Sequence, residues 1–152
     1  MSKVFVLEDD AQAMEIVDFL ESRGHDVVHA EELNSAIYFL EHEPGLAAMD
    51  KLLFDLAVPK CESEHWQGEP RVSEYAGKYA GLDYIADNYK HWPAFRQAVD
   101  GGRVAILTAH DNAMQEDFEQ KLKADPGLVK VKIISKLANN MDEQLIDFLR
   151  GK

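Results

Sequence analysis

The amino-acid sequence predicts an α/β protein built on a parallel sheet. Short apolar runs alternate along the chain with segments whose apolar residues recur at helical spacing. The first such segment carries Ala13, Ile16, Val17 and Leu20 at positions i, i+3, i+4 and i+7. Strands that alternate with helices are typical of βαβ units, in which helices cover both faces of the sheet.

Five apolar runs are the predicted strands. They are KVFVLE (3–8), DVVHA (26–30), KLLFDL (51–56), RVAILTA (103–109) and KVKIIS (130–135). Helical spacing recurs in 33–40, 82–92, 114–122 and 141–149. Pro93 is expected to break the helix at 82–92, with 94–99 as a short continuation.

The composition describes one globular domain spanning 1–152. Of the 152 residues, 46% are hydrophobic and 29% are charged, and the net charge of −12 argues against direct binding of nucleic acid. The longest apolar runs are too short to span a membrane, and the N-terminus shows no signal-peptide pattern. Cys61 is the only cysteine, which fits a reducing compartment, so a cytoplasmic location is expected.

Polar side chains stand at the carboxyl ends of four predicted strands. The ends carry Glu8-Asp9-Asp10, Asp55, Thr108 and Ser135-Lys136. Ligands of parallel α/β sheets bind beyond these ends, so the groups are expected to converge. Taken singly, each has an ordinary explanation as a helix cap or a solvated charge.

Together these groups suit phosphoryl transfer. Carboxylates without neighbouring cysteine or histidine favour a hard cation such as Mg²⁺. One carboxylate can attack a phosphoryl group and form an acyl phosphate. A lysine and a threonine hydroxyl can bind the phosphoryl oxygens.

In these residues the sequence resembles the receiver domain of two-component response regulators. The resemblance covers most of the chain and is carried, in order, by 3-KVFVLEDD-10, 51-KLLFDLAVP-59, 103-RVAILTA-109 and 133-IISK-136. It implies a flavodoxin-like, doubly wound five-stranded parallel sheet of order 2-1-3-4-5.

The resemblance also implies roles for individual residues. Asp55 would be the phosphoacceptor, Thr108 the switch hydroxyl and Lys136 the lysine that contacts the phosphoryl group. Magnesium would be bound by Glu8, Asp9, Asp55 and the backbone carbonyl of Ala57.

A chain of this kind would signal through a phosphorelay rather than act as an enzyme. The phosphoryl donor would be a sensor histidine kinase or a histidine phosphotransfer protein, and only self-phosphorylation and self-dephosphorylation are expected. No output domain is expected after the last helix, so the output would be binding of a downstream protein, with a homodimer left open. Nucleic acid and membrane are not expected partners.

The sequence departs from the receiver pattern in three places. Leu137 follows the lysine where the family has proline, and Ile133 stands where the family has an aromatic residue. Asp55 and Thr108 are 53 positions apart, which predicts an insertion at 60–80, between strand three and helix three. Its aromatic residues could anchor a partner or pack onto the domain.

Two other functions stay open from the sequence. A degenerate receiver would keep the fold and bind a partner without phosphorylation, as the changes at Leu137 and Ile133 suggest. A phosphatase of the haloacid dehalogenase type also uses a strand-end aspartate, but it needs a second acid two residues later, where this chain has Ala57.

Overall fold

The structure, a computed structural model, describes residues 2–8, 12–42, 44–55, 80–108, 119–120, 122–124, 126–137 and 139–151. Nearly all of the insertion predicted at 60–80 lies outside these ranges, and so do Asp9, Ala57 and most of the helix predicted at 114–122.

Five parallel strands form one sheet. They are β1 (Lys3–Leu7), β2 (Asp26–Ala30), β3 (Lys51–Asp55), β4 (Val104–Thr108) and β5 (Lys132–Ser135). All four neighbouring pairs are parallel, and the spatial order is β2-β1-β3-β4-β5. The predicted flavodoxin-like α/β fold is therefore confirmed.

Five α-helices have both bounds in the described ranges, and residues 119–120 and 122–123 are helical as well. The five are α1 (Gln12–Ser22), α2 (Leu33–Glu41), α3 (Ala80–His91), α4 (Pro93–Asp100) and α5 (Met141–Leu149). Trp92 is extended, with φ −127°, and Pro93 opens α4, so the proline separates two helices as expected. None of these helices is both long enough and apolar enough to cross a bilayer.

The start of the fifth strand differs from the prediction by two residues. The strand begins at Lys132 rather than at residue 130, because Pro126–Lys130 forms a 3₁₀ helix. Leu128 is buried in this turn, and its carbonyl accepts a hydrogen bond from the N–H of Val131 at 3.0 Å. The apolar residues before β5 therefore belong to a turn that packs on the core.

Two apolar layers lie on opposite faces of the sheet. Phe5 and Leu7 point to the face covered by α2, α3 and α4, whereas Val4 and Val6 point to the face covered by α1 and α5. Successive strand residues point to opposite faces, so β1 must be apolar throughout, and its four last residues are fully buried. Burial of each such side chain contributes about 1.5–3 kcal/mol to folding.

Candidate functional site

Three strand ends bring charged side chains together at the carboxyl edge of the sheet. Glu8 follows β1, Asp55 is the last residue of β3, and Lys136 follows β5. The ammonium Nζ of Lys136 lies 2.8 Å from Oε2 of Glu8 and 3.4 Å from Oδ1 of Asp55. Three of the residues predicted from strand ends therefore lie in direct contact with one another.

This carboxylate–lysine cluster (Glu8, Asp55 and Lys136) is buried. The exposed fractions of the three residues are 0%, 7% and 6%, respectively. Charges out of water are costly unless they are matched by opposite charges and hydrogen bonds. One ammonium faces two carboxyl groups here, so the positive charge of Lys136 can balance only one of them when both are ionised.

The cluster changes the acidity of Asp55. The pKa of the Asp55 carboxyl is raised to about 8, first by burial and then by the nearby charge of Glu8, while Lys136 acts in the opposite direction. A hydrogen bond with the Glu8 side chain also favours the protonated form. Two carboxyl groups that share a buried site do not both ionise easily, which is the expected behaviour of such a pair.

Thr108 ends the strand that lies between Asp55 and Lys136. It is 1% exposed and is paired with Ser135 of β5, while Asp55 is paired with Leu107. The N–H of Lys136 donates a hydrogen bond to the Thr108 carbonyl oxygen at 2.8 Å. The predicted hydroxyl therefore stands at the same edge of the sheet as the cluster.

The backbone of Glu8 is held by β2. Its N–H donates to the Ala30 carbonyl at 3.1 Å, and Nε2 of His29 lies 2.8 Å from the Glu8 carbonyl oxygen. His29 was not predicted from the sequence, since a single histidine in a strand forms no pattern. Its place beside Glu8 follows only from the β1–β2 register, which pairs it with Val6.

The carboxylate oxygens of the cluster are suitable ligands for a hard cation. Glu8 and Asp55 offer only oxygen, which is the ligand type that Mg²⁺ prefers. Two predicted ligands, the Asp9 side chain and the Ala57 carbonyl, lie outside the described residues. Within the described ranges no group of three or more histidine, cysteine or acidic residues is placed to hold a metal ion.

The structure describes both residues near the cluster that depart from the receiver pattern. Leu137, where the receiver pattern has proline, is 65% exposed. Ile133, where the pattern has an aromatic residue, packs against the core on the face of α2, α3 and α4. Neither residue contributes a polar group to the site.

Comparison with known proteins gives no match in sequence to a family model or to a curated protein. The fold, however, matches solved receiver domains. A response regulator receiver domain protein from Clostridium thermocellum is 16% identical, with 99% of this chain and 94% of that chain covered and a TM-score of 0.61.

Two further structures match equally well. The BeF3-activated N-terminal receiver domain of RstA from Klebsiella pneumoniae is 19% identical, with coverages of 97% and 95% and a TM-score of 0.60. The receiver domain of a sensor histidine kinase from Pseudomonas aeruginosa PAO1, with magnesium coordinated in its active site cleft, is 20% identical, with coverages of 98% and 95% and a TM-score of 0.58. The chain therefore has the receiver-domain fold.

Proposed function

We propose that this chain is a receiver-type phosphoacceptor that carries a signal in a phosphorelay. Asp55 would accept a phosphoryl group from a phosphohistidine of a sensor histidine kinase or a histidine phosphotransfer protein. The observation that supports this most strongly is the buried contact of Lys136 with Glu8 and Asp55, on a fold shared with receiver domains. The proposed unit spans 1–152, with 60–80 as an insertion.

The reaction is a transfer between nitrogen and oxygen. An Oδ atom of Asp55 attacks phosphorus, the O–P bond forms, and the P–N bond of the donor breaks with its electron pair passing to the imidazole. The attacking carboxylate must be ionised, although its pKa is about 8 in the cluster without a metal ion. The proton of Asp55 therefore leaves before attack.

The residues that would hold Mg²⁺ are Glu8, Asp9, Asp55 and the carbonyl of Ala57. When bound, Mg²⁺ would supply positive charge to the phosphoryl oxygens. The cluster suits a metal ion because a second positive charge would offset the surplus negative charge of its two carboxylates. The same positive charge would favour the ionised form of Asp55.

Lys136 and Thr108 would bind the transferred group. The ammonium already lies within 3.4 Å of Oδ1 of Asp55, so it can donate to a phosphoryl oxygen with little movement. Phosphorylation adds charge at the carboxyl edge beside β5, and the partner surface would be the face made by β5, α5 and the helix predicted at 114–122. Since residue 133 is isoleucine, this output cannot depend on an aromatic rotamer at that position.

Phosphorylation by an acyl phosphate tests the proposal. The wild type, incubated with acetyl phosphate and Mg²⁺, is expected to gain one phosphoryl group by intact mass, and EDTA should prevent the gain. Asp55→Asn should gain none, whereas Asp26→Asn, an exposed acid at the opposite edge, should react like the wild type.

Two other outcomes would reject the proposal. A folded wild type that gains no mass, from acetyl phosphate or from phosphohistidine donors, would be the degenerate receiver. Steady turnover of a phosphomonoester that depends on Asp55 would instead make the chain a phosphatase.

A further inference from the structure

Two histidines connect β2 to the backbone on either side of β1. His25 directly precedes β2, and its Nδ1 accepts a hydrogen bond from the N–H of Ser2 at 3.0 Å. Near the other end of β2, Nε2 of His29 lies 2.8 Å from the carbonyl oxygen of Glu8. Both histidines are half-buried. The first contact therefore lies at the amino edge of the sheet, and the second lies at the carboxyl edge, beside the carboxylate–lysine cluster.

The imidazole of His29 replaces a backbone donor. A carbonyl oxygen can only accept a hydrogen bond, so Nε2 of His29 carries a proton and donates it to Glu8. The paired residues of β1 and β2 end at Leu7 and Ala30. In a regular parallel ladder the Glu8 carbonyl would accept from the N–H two residues beyond Ala30, which is that of Glu32. Glu32 instead stands directly before α2, and the imidazole supplies the donor.

The backbone of Glu8 is consequently held at both of its polar groups. Its N–H donates to the Ala30 carbonyl at 3.1 Å, and its carbonyl accepts from His29. Because the peptide group is planar, fixing the carbonyl also fixes the direction in which the chain leaves β1. His29 thus fixes the one residue after β1 whose side chain enters the cluster.

The position of the Glu8 carboxylate depends on this backbone contact. Glu8 is 0% exposed, and its Oε2 lies 2.8 Å from Nζ of Lys136. The groups of a binding site must be held within about 0.5 Å of their working positions to be effective. A small rotation of the Glu8 backbone would be amplified along its side chain, so loss of the bond from His29 would displace the carboxylate.

We propose that His29 is a positioning residue for the cation site, whose imidazole holds the Glu8 backbone so that the Glu8 carboxylate is in place to bind Mg²⁺. This role rests on the proposed function, in which Glu8 is a magnesium ligand. Hydrogen-bond partners that orient a metal ligand typically raise the affinity for the metal roughly 10- to 100-fold. Because His29 acts through the backbone and not on the carboxylate itself, we expect the lower end of that range.

A purely structural role would change stability alone. His25 is the matched reference for such a role, because its bond also joins the β2 side to the backbone beside β1, at the edge far from the cluster. His29→Leu and His25→Leu each remove one half-buried hydrogen bond, so both should lower the melting temperature of the metal-free chain by similar amounts. Only His29→Leu should also weaken the binding of Mg²⁺.

Titration of the whole chain with Mg²⁺ tests the proposal, with the amide resonances of Leu107 and Thr108 as the readout at one fixed pH. The dissociation constant should rise roughly tenfold in His29→Leu and less than about twofold in His25→Leu. His29→Gln should restore it to within about threefold of the wild type, since the glutamine Nε2 can donate from nearly the same place as the imidazole Nε2. The amide of His29→Asn is one methylene too short, so this variant should bind Mg²⁺ as weakly as His29→Leu.

Three results would overturn the role of His29: a wild type that binds no Mg²⁺, equal changes of affinity in His29→Leu and His25→Leu, or equal affinities of His29→Gln and His29→Asn. The last comparison decides alone if His29→Leu does not fold. Intact mass after incubation with acetyl phosphate keeps this proposal apart from the proposed function. A wild type that binds Mg²⁺ through the His29 contact but gains no phosphoryl group would reject only the phosphoacceptor. A chain that is phosphorylated, with unchanged Mg²⁺ affinity in His29→Leu, would reject only the role of His29.

Discussion

The backbone N–H of Lys136 donates a hydrogen bond to the carbonyl oxygen of Thr108 at 2.8 Å. This bond extends the pairing of β4 with β5 by one residue beyond the Thr108–Ser135 pair. The position of the Lys136 backbone is therefore set by the sheet. The next residue, Leu137, points to solvent, so the lysine reaches the cluster without the proline that the receiver pattern has there.

Removal of the lysine should destabilise the protein. Lys136→Met leaves Glu8 and Asp55 buried without their cation, and the free energy of unfolding should fall by roughly 3 kcal/mol, as it does when one partner of a buried pair is removed. Urea unfolding at pH 8 in EDTA measures the loss. Lys123→Met, at an exposed position, is the control and should change stability by less than about 0.5 kcal/mol. An equally small effect of Lys136→Met would mean that the buried pair contributes nothing.

Stability should depend on pH through Asp55. Its pKa is about 8 in the folded chain and 3.8 as the reference value. Between these values the folded state holds one proton more than the unfolded state, so stability falls as pH rises, by up to roughly 1.4 kcal/mol per pH unit from this group. The contribution is complete below pH 4 and is lost by the time the pH passes through 8.

Asp55→Asn removes this dependence. Both proteins are unfolded with urea in EDTA, at intervals from pH 5 to pH 8. The free energy of unfolding of the variant, relative to that of the wild type, should increase steadily with pH. If the stability difference between the two proteins stays constant across this pH range, the pKa of Asp55 is not raised in the folded chain. Asp26→Asn, an exposed acid, should follow the wild type throughout.

Magnesium should act more strongly at high pH. A cation that binds Glu8 and Asp55 requires the ionised form of Asp55, so protons compete with it at lower pH. We expect Mg²⁺ to raise the melting temperature more at pH 8 than at pH 6, with stabilisation of about 2.7 kcal/mol when its concentration is 100 times its dissociation constant. Thermal unfolding with and without EDTA measures this. Asp55→Asn should respond weakly, and an equal response at both pH values would contradict the assignment of Asp55 as a ligand.

The sequence predicted the elements of the sheet closely because the central strands β1, β3 and β4 are buried on both faces. Such strands are short and apolar, as in KVFVL and VAILT, and the observed β2 has the predicted bounds. The start of β5 was wrong because Val131 is apolar and buried yet belongs to the turn after the 3₁₀ helix. Alternation alone also leaves the order of the strands open, and the order came from the resemblance.

The sequence predicted where the site residues lie in the fold, but not which of their side chains are in contact. The rule that ligands gather at the carboxyl ends of parallel strands placed Glu8, Asp55 and Lys136 at one edge. It could not show that one ammonium reaches both carboxyl groups, because that depends on the β3–β4–β5 register.

A close contact between Tyr89 of α3 and Gly127 of the turn before β5 gives a last prediction. A Cβ atom at Gly127 would overlap the Tyr89 ring. The ring cannot move freely, since its hydroxyl donates to Asp100 at 3.0 Å and the Arg96 guanidinium lies over it at 5.5 Å. Gly127→Ala should therefore destabilise the chain by roughly 1–3 kcal/mol, the usual cost of overpacking.

A double-mutant cycle with Tyr89→Leu separates this overlap from a change in backbone freedom. The smaller side chain removes the obstructing ring, so Gly127→Ala should cost much less in the Tyr89→Leu background, with a coupling energy of about 1 kcal/mol or more. Urea unfolding of the four proteins gives the coupling directly. An unchanged cost in both backgrounds would place the effect in the backbone at position 127 rather than in the contact with Tyr89.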